Sequence, residues 1–284
     1  MDFDTIYADV PDEQKNALKQ FRETHPQKSL AVAGTNWTYH TAGKGVQTIL
    51  WLVGGLKKAD AAYNSIPLLA DSYNIIAPDY PALASMSELA DGLSAIIEAE
   101  NVDTVYVLAG SFGGMLAQVF MRQYPEKASK VILSTTTPPD ASQIDRYQQL
   151  MDMAKLAPDD LLQQTAQSQM LGTIAPVDSD LEFYKAYLKE LYEQRLDKAD
   201  IVSIYSAIID YMSQTFTAQD LATWSGGLLI INSDNDATFG DRMQDNLVNL
   251  YPMAQVHTFE GAGHSPSSTK RSEFFALVGQ FFAR

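Results

Sequence analysis

The chain has 284 residues, no cysteine and a formal net charge of −15, with hydrophobic residues at 46% and charged residues at 19%. That length suits one large core, or a core carrying an insertion. The missing thiols exclude disulfides, cysteine catalysis and thiolate metal sites and fit a cytoplasmic protein, while the acidity works against nucleic acid and anionic membrane surfaces as partners.

The start, MDFDTIYADVPDEQKN, is acidic and lacks the basic-then-apolar pattern of a secretory signal. No apolar run reaches the roughly 18 residues that a membrane-spanning helix needs. Pro11 to Thr24 is expected as an amphipathic helix with Pro11 in its first turn, ending before Pro26. "KSLAVAG" and "NWTYHTAG" read as two strands around an Ala-Gly-Thr-Asn turn. "TILWLVGG" (48–55) is a continuous apolar run, the mark of a strand buried on both faces. "KKADAAYNSIPLLAD" is expected as a helix and "YNIIAPD" (73–79) as a second buried strand. Ser85 and Glu88 form the pattern of a capping box that opens a helix to about Ala99. "DTVYVLAG" is a third buried strand, 112–124 a helix closed by Pro125, and "SKVILSTT" (129–136) a fourth strand.

This alternation predicts an α/β fold, with a mostly parallel central sheet and helices on both faces. It breaks at "TTTPPD". From Pro138 to about Trp224 the periodicity is helical throughout, in "ASQIDRYQQLMDMAKL", "PDDLLQQTAQSQML", "DLEFYKAYLKELYEQRL" and "DIVSIYSAIIDYMSQTF". It resumes with strand "GGLLIINSD", helix "DRMQDNLVNLY", strand "AQVHTFE" and a last helix, "SSTKRSEFFALVGQFFAR". The expected organisation is therefore a core domain of residues 1–137 and 225–284. A helical lid, 138–224, is inserted after the fourth buried strand. No repeat and no low-complexity linker interrupts it.

Chemistry concentrates where the third buried strand meets its helix. Ala109-Gly110-Ser111-Phe112-Gly113 has the form small-x-Ser-x-small. A serine held clear of the backbone on a sharp strand-to-helix turn needs small residues two positions away on either side. The helix that follows points its N-terminal dipole at a developing oxyanion. A plain Gly-rich turn is the structural alternative. A serine hydroxyl also needs a base. Of the four histidines, His25, His40 and His257 fall at a helix end or within strands. His264, in "GAGHSP" after the last strand, stands at the carboxyl edge of the sheet with Ser111. The acid that orients it is expected in "NSDND". Asp236 reaches further into the loop, Asp234 suits a turn-stabilising role, and Asp140 is a third candidate. The oxyanion donors are expected to be the N–H groups of Phe112 and of Gly55, with Leu56 as the other choice for the second.

The elbow "AGSFGG", the acid loop "NSDND", the terminal "GAGHS" and the order Ser111…Asp236…His264 resemble the α/β-hydrolases. The resemblance covers about 30–137 and 225–284. It departs in two places. Val53-Gly54-Gly55 stands where that family usually has His-Gly. "APDYPALASMSE" stands where it usually has Asp and a Gly-rich turn. "DYP" followed by "SMSELADGL", the early Gly-Gly loop and "GGMLAQ" are more similar to the maspardin-like branch, which implies a binding or trafficking role on the same fold.

The residues predict a serine hydrolase with an acyl-enzyme on Ser111, a small-molecule acyl substrate, and no metal or organic cofactor. An acyltransferase would use the same groups. An apolar lid face over the serine favours an ester of small to medium size, and the lid's 14 acidic against 6 basic residues favour a neutral one.

Overall fold

Ala33 and Gly34 both take positive φ, 48° and 84°, in the computed structural model, which describes residues 1–284. This two-residue turn folds β1 (Lys28–Val32) back on β2 (Thr35–Ala42), in a geometry that matches the twist of the paired strands. Six further strands complete the sheet: β3 (Thr48–Leu52), β4 (Asn74–Asp79), β5 (Val105–Gly110), β6 (Ala128–Ser134), β7 (Gly227–Ser233) and β8 (Gln255–Phe259). Their spatial order is β1-β2-β4-β3-β5-β6-β7-β8. β2 runs antiparallel to β1 and β4, and every later pairing is parallel. The apolar runs lie where burial on both faces was expected: all five residues of β3 are buried, as are the last five of β4.

The helices are α1 (Phe3–Ile6), α2 (Asp12–Thr24), α3 (Ile66–Ala70), α4 (Met86–Ala99) and α5 (Phe112–Gln123). They continue with α6 (Ile144–Leu156), α7 (Asp159–Ile174), α8 (Leu181–Glu190), α9 (Lys198–Met212) and α10 (Asp241–Leu250), then α11 (Pro266–Thr269) and α12 (Arg271–Ala283). The elements between β6 and β7 are all helical, α6 to α9 with short 3₁₀ and π turns.

Several boundaries differ from expectation. Pro11 caps α2 from outside instead of standing in its first turn. The segment after β3 is not one helix but a 3₁₀ turn (Ala59–Ala62) followed by α3, because the Ala59 N–H is drawn to Asp79 Oδ1 (2.7 Å) and Pro67, without an N–H, restarts the helix. The C-terminal helix is broken at Lys270 (φ −122°, ψ 39°), where Thr269 Oγ1 donates back to the Ala262 carbonyl (2.7 Å). α1 was not anticipated, being a single turn capped by Asp2.

A buried ionic network fastens the insertion to the rest of the chain. Asp60 accepts from Arg22 of α2 (2.8 Å) and from Arg195 of the insertion (2.9 Å). Arg22 also pairs with Glu190 (2.9 Å), which takes the Tyr7 hydroxyl (2.6 Å). Tyr187 closes the network by donating to Asp60 (2.7 Å).

Candidate active site

Ser111 alone bridges β5 and α5, with φ 53° and ψ −122°. An L-residue pays about 1–3 kcal/mol to occupy such a region. Its neighbours hold it there: Ser111 N–H donates to the Ser134 carbonyl (3.0 Å), and its own carbonyl accepts from Met115 N–H (3.1 Å) and Thr136 Oγ1 (2.8 Å). The small residues follow from the same crowding. A Cβ on Gly113 would run into the Leu52 and Val53 carbonyl oxygens, and one on Gly114 into the Thr136 side chain. Gly114, one place beyond the motif, is crowded as well, though by a side chain where Gly113 meets backbone.

The structure brings Ser111, His264 and Asp236 together from three separate segments. His264 Nε2 lies 2.9 Å from Ser111 Oγ, and Nδ1 lies 3.0 Å from each Asp236 oxygen. Asp236 is also fixed by main-chain N–H groups of Thr238 (2.8 Å) and Phe239 (3.2 Å). The Phe239 ring meets the imidazole edge-on, with centroids 5.3 Å apart. Both side chains are buried. With Nδ1–H donated to the carboxylate, Nε2 is left as an acceptor facing the serine hydroxyl.

Each residue of Asp234-Asn235-Asp236 has its own partner. Asp234 accepts Gly261 N–H and Asn235 accepts Gly263 N–H, each at 2.7 Å, so both side chains tie the end of β7 to the loop that carries His264. Gly261 and Gly263 have φ of 64° and 63°, which explains why glycine brackets this loop. Asp140 is elsewhere: it caps the turn at Ala141–Gln143 and meets Arg242 at 3.3 Å. His25 and His40 pack around Phe21, and His257 packs on Phe259 at the outermost strand.

The loop after β3 runs beside the serine. A Cβ on Gly54 would stand 3.4 Å from Ser111 Cβ, and one on Gly55 would stand 3.3 Å from Met170 Cε of α7. The N–H groups of Gly55, Leu56 and Phe112 have no acceptor within the protein. Sequence reasoning missed Lys57. It takes φ 62°, and its buried ammonium reaches Asp200 Oδ1 (2.7 Å) and Ser203 Oγ (3.0 Å) on α9. Burial pushes that ammonium below its ordinary value against the pull of Asp200. Apolar-run reading treats a lysine after Gly-Gly as a solvated turn residue, so nothing in the pattern marks it.

Residues 47–270 match the model of the alpha/beta hydrolase fold family. The chain belongs to the α/β-hydrolases. Among relatives, an uncharacterized Mycobacterium tuberculosis protein, Rv2715, is 22% identical over 95% of this chain and 85% of its own length. Maspardin of Rattus norvegicus is 29% identical over 117 residues, 39% of this chain and 44% of maspardin. Among solved structures, a hydrolase from Pseudomonas aeruginosa superposes with a TM-score of 0.77 at 16% identity, covering 91% of this chain and 99% of that one. A thermophilic esterase from Thermogutta terrifontis gives 0.73 at 16% identity, covering 90% and 98%.

In this α/β-hydrolase a cavity of about 370 Å³ opens onto Ser111 and His264. The insertion supplies much of its wall, with Met170 and Ile174 of α7, Tyr192, and Ile204, Tyr205 and Ile208 of α9. No aspartate, glutamate or lysine lines it. The 14 carboxylates of the insertion therefore face elsewhere, and the charge argument for a neutral substrate does not reach the cavity. No group of three or more His, Asp or Glu side chains is placed to hold a metal ion, and no helix is long and apolar enough to cross a membrane.

Proposed function

We propose that this chain is a serine hydrolase that cleaves small to medium acyl esters through an acyl-enzyme on Ser111. One observation carries the reading: an unbroken hydrogen-bonded run from Ser111 Oγ through His264 (2.9 Å) to Asp236 (3.0 Å), anchored on a strained strand-to-helix turn. Ser111 Oγ attacks the acyl carbonyl as His264 Nε2 takes its proton. The negative charge on the carbonyl oxygen is met by Phe112 N–H and Gly55 N–H, both free of protein acceptors. Asp236 keeps the imidazole in the productive tautomer and stabilises the imidazolium. The tetrahedral intermediate collapses, the C–O bond breaks, and His264 returns the proton to the departing alcohol. Water then repeats the sequence on the acyl-enzyme, which releases the acid and restores Ser111. The helical insertion acts as a lid that sizes the substrate, and the reaction runs in the cytoplasm.

The maspardin match supports a second reading, a binding protein on the same fold. Intact-mass analysis after a fluorophosphonate probe separates the two. One adduct on the wild type and none on Ser111→Ala is expected. A wild type that stays unlabelled, or a labelled alanine variant, rejects Ser111 as the nucleophile.

A further inference from the structure

Arg271 is the only permanently charged side chain on the cavity wall of a protein whose formal net charge is −15. The break at Lys270 puts it there, at the start of α12, instead of inside a continuous helix. The other arginines withdrawn from solvent, Arg22, Arg122 and Arg195, each have a carboxylate within 3.2 Å. Arg271 has none at ion-pair distance. Its Nη1 donates to Ser65 Oγ (2.9 Å) and Asn64 Oδ1 (3.3 Å), and its Nη2 to the Asn64 carbonyl, all neutral acceptors. A guanidinium carries five N–H donors, so part of the fork stays unused. Partial burial disfavours this charge, while Tyr184, Asp180 and Tyr63 favour it only from longer range. Asp180 is itself engaged by Gln14 Nε2 (2.9 Å).

An arginine that only tied α12 to Asn64 and Ser65 would not need to face the cavity. Tyr184, Ser267 and Ser268 line the cavity with it and add hydroxyl donors without adding negative charge. The half-desolvated cation is thus positioned, preorganised by its neighbours and without a counter-ion. A carboxylate fits it by charge and by fork geometry.

We propose that Arg271 is an anion subsite and that the preferred substrate is an ester carrying a free carboxylate, held by Arg271 while its ester carbonyl lies at Ser111. The catalytic half of this statement rests on the serine-hydrolase reading; the binding half does not.

Two measurements separate those halves. In a Ser111→Ala background, calorimetry compares monomethyl adipate, which has one carboxylate, with dimethyl adipate, which has none. The monoester binds more tightly, and adding Arg271→Gln weakens it by about 10- to 100-fold, as expected for loss of a charge-assisted hydrogen bond, with a much smaller effect on the diester. In the active protein, the monoester-to-diester ratio of kcat/KM falls in the same variant. Arg271→Lys, which keeps the charge but not the fork, gives a ratio between the two and covers the case in which the glutamine variant does not fold. Lys44→Gln, an exposed change of equal charge, leaves the ratio unaltered. The inference is overturned if the diester binds as well as the monoester, or if Arg271→Gln weakens both ligands equally, which is the mark of a structural tie. If the probe leaves Ser111 unlabelled and neither ester is cleaved, the hydrolase reading fails, and the calorimetry still decides Arg271.

Discussion

Asp234 and Asp236 stand two residues apart after β7 and hold different partners: Asp236 takes His264 Nδ1 at 3.0 Å, and Asp234 takes Gly261 N–H at 2.7 Å. One orients the imidazole, and the other anchors the loop on which it is carried. Asp236→Asn should therefore lower kcat on a p-nitrophenyl ester by about 10⁴-fold, because the amide favours the wrong tautomer. Asp234→Asn keeps an acceptor oxygen for Gly261 N–H and loses only the charge on this exposed loop tie, worth about 1 kcal/mol or less. It should appear chiefly as a lower Tm with a modest loss of rate. The opposite ranking in steady-state kinetics would move the acid to Asp234.

The sheet was legible because strands buried on both faces spell continuous apolar runs, and those runs fall at β3, β4, β5, β6 and β7. Ser111 was marked by its small neighbours, which fit where the backbone is crowded, and His264 by its place after the last strand at the carboxyl edge of the sheet. The preference for Asp236 over Asp234 rested on reach into the loop, and it is the Asp236 carboxylate that lies 3.0 Å from His264 Nδ1. What the pattern did not carry was tertiary. Lys57 looks like any exposed lysine until α9 brings Asp200 to it. The surplus of acid in the insertion suggested a neutral substrate, but composition cannot say which face a carboxylate takes. Arg271 lay inside a presumed continuous helix, and only the break at Lys270 turns it toward the cavity.

The crowding at the elbow makes a separate test. Gly113→Ala puts a methyl group against the Leu52 and Val53 carbonyls, which are backbone atoms and cannot swing aside. Overpacking of this kind costs about 1–3 kcal/mol. α5 must also shift, and with it Phe112 N–H and Ser111 Oγ. Loss of stability with near-complete loss of probe labelling is expected, measured by chemical denaturation and intact mass. Gly172→Ala, where an added Cβ meets nothing, serves as the control. Equal behaviour of the two variants would contradict the packing argument.

The network on Asp60 predicts an acid dependence. Burial alone would raise this carboxyl, but Arg195 and Arg22 outweigh it and leave it below its ordinary value of 3.8. A carboxylate whose folded value is depressed adds stability above the unfolded value, and that stability is lost as the pH falls through the folded one. Wild-type stability should therefore drop below pH 3.8 in part through Asp60. Asp60→Asn leaves the withdrawn Arg195 guanidinium without a carboxylate and Arg22 with Glu190 alone, and should cost about 3–5 kcal/mol at neutral pH. Its stability should then fall less steeply with acid than that of the wild type. Parallel curves in urea titrations from pH 7 to pH 3 would show that Asp60 is not a linked group.

Met170 offers the sharpest test of the insertion as a lid. Its Cε would stand 3.3 Å from a Cβ on Gly55, so this side chain on α7 overhangs the loop that supplies the proposed oxyanion donor, and it lines the cavity. For a series of p-nitrophenyl esters from acetyl to octanoyl, each methylene that enters the apolar wall is worth about 0.8 kcal/mol, or roughly fourfold in kcat/KM. The gain should stop where the wall closes. Met170→Ala removes part of that wall and should move the optimum to longer chains, whereas Met170→Phe should move it to shorter ones. Neither change touches Ser111, His264 or Asp236, so labelling by the probe should persist in both. An optimum that stays fixed in both variants would mean that α7 does not bound the substrate. Background rates for every ester, with Ser111 unlabelled in the wild type, would favour the insertion as a docking surface over a closed pocket.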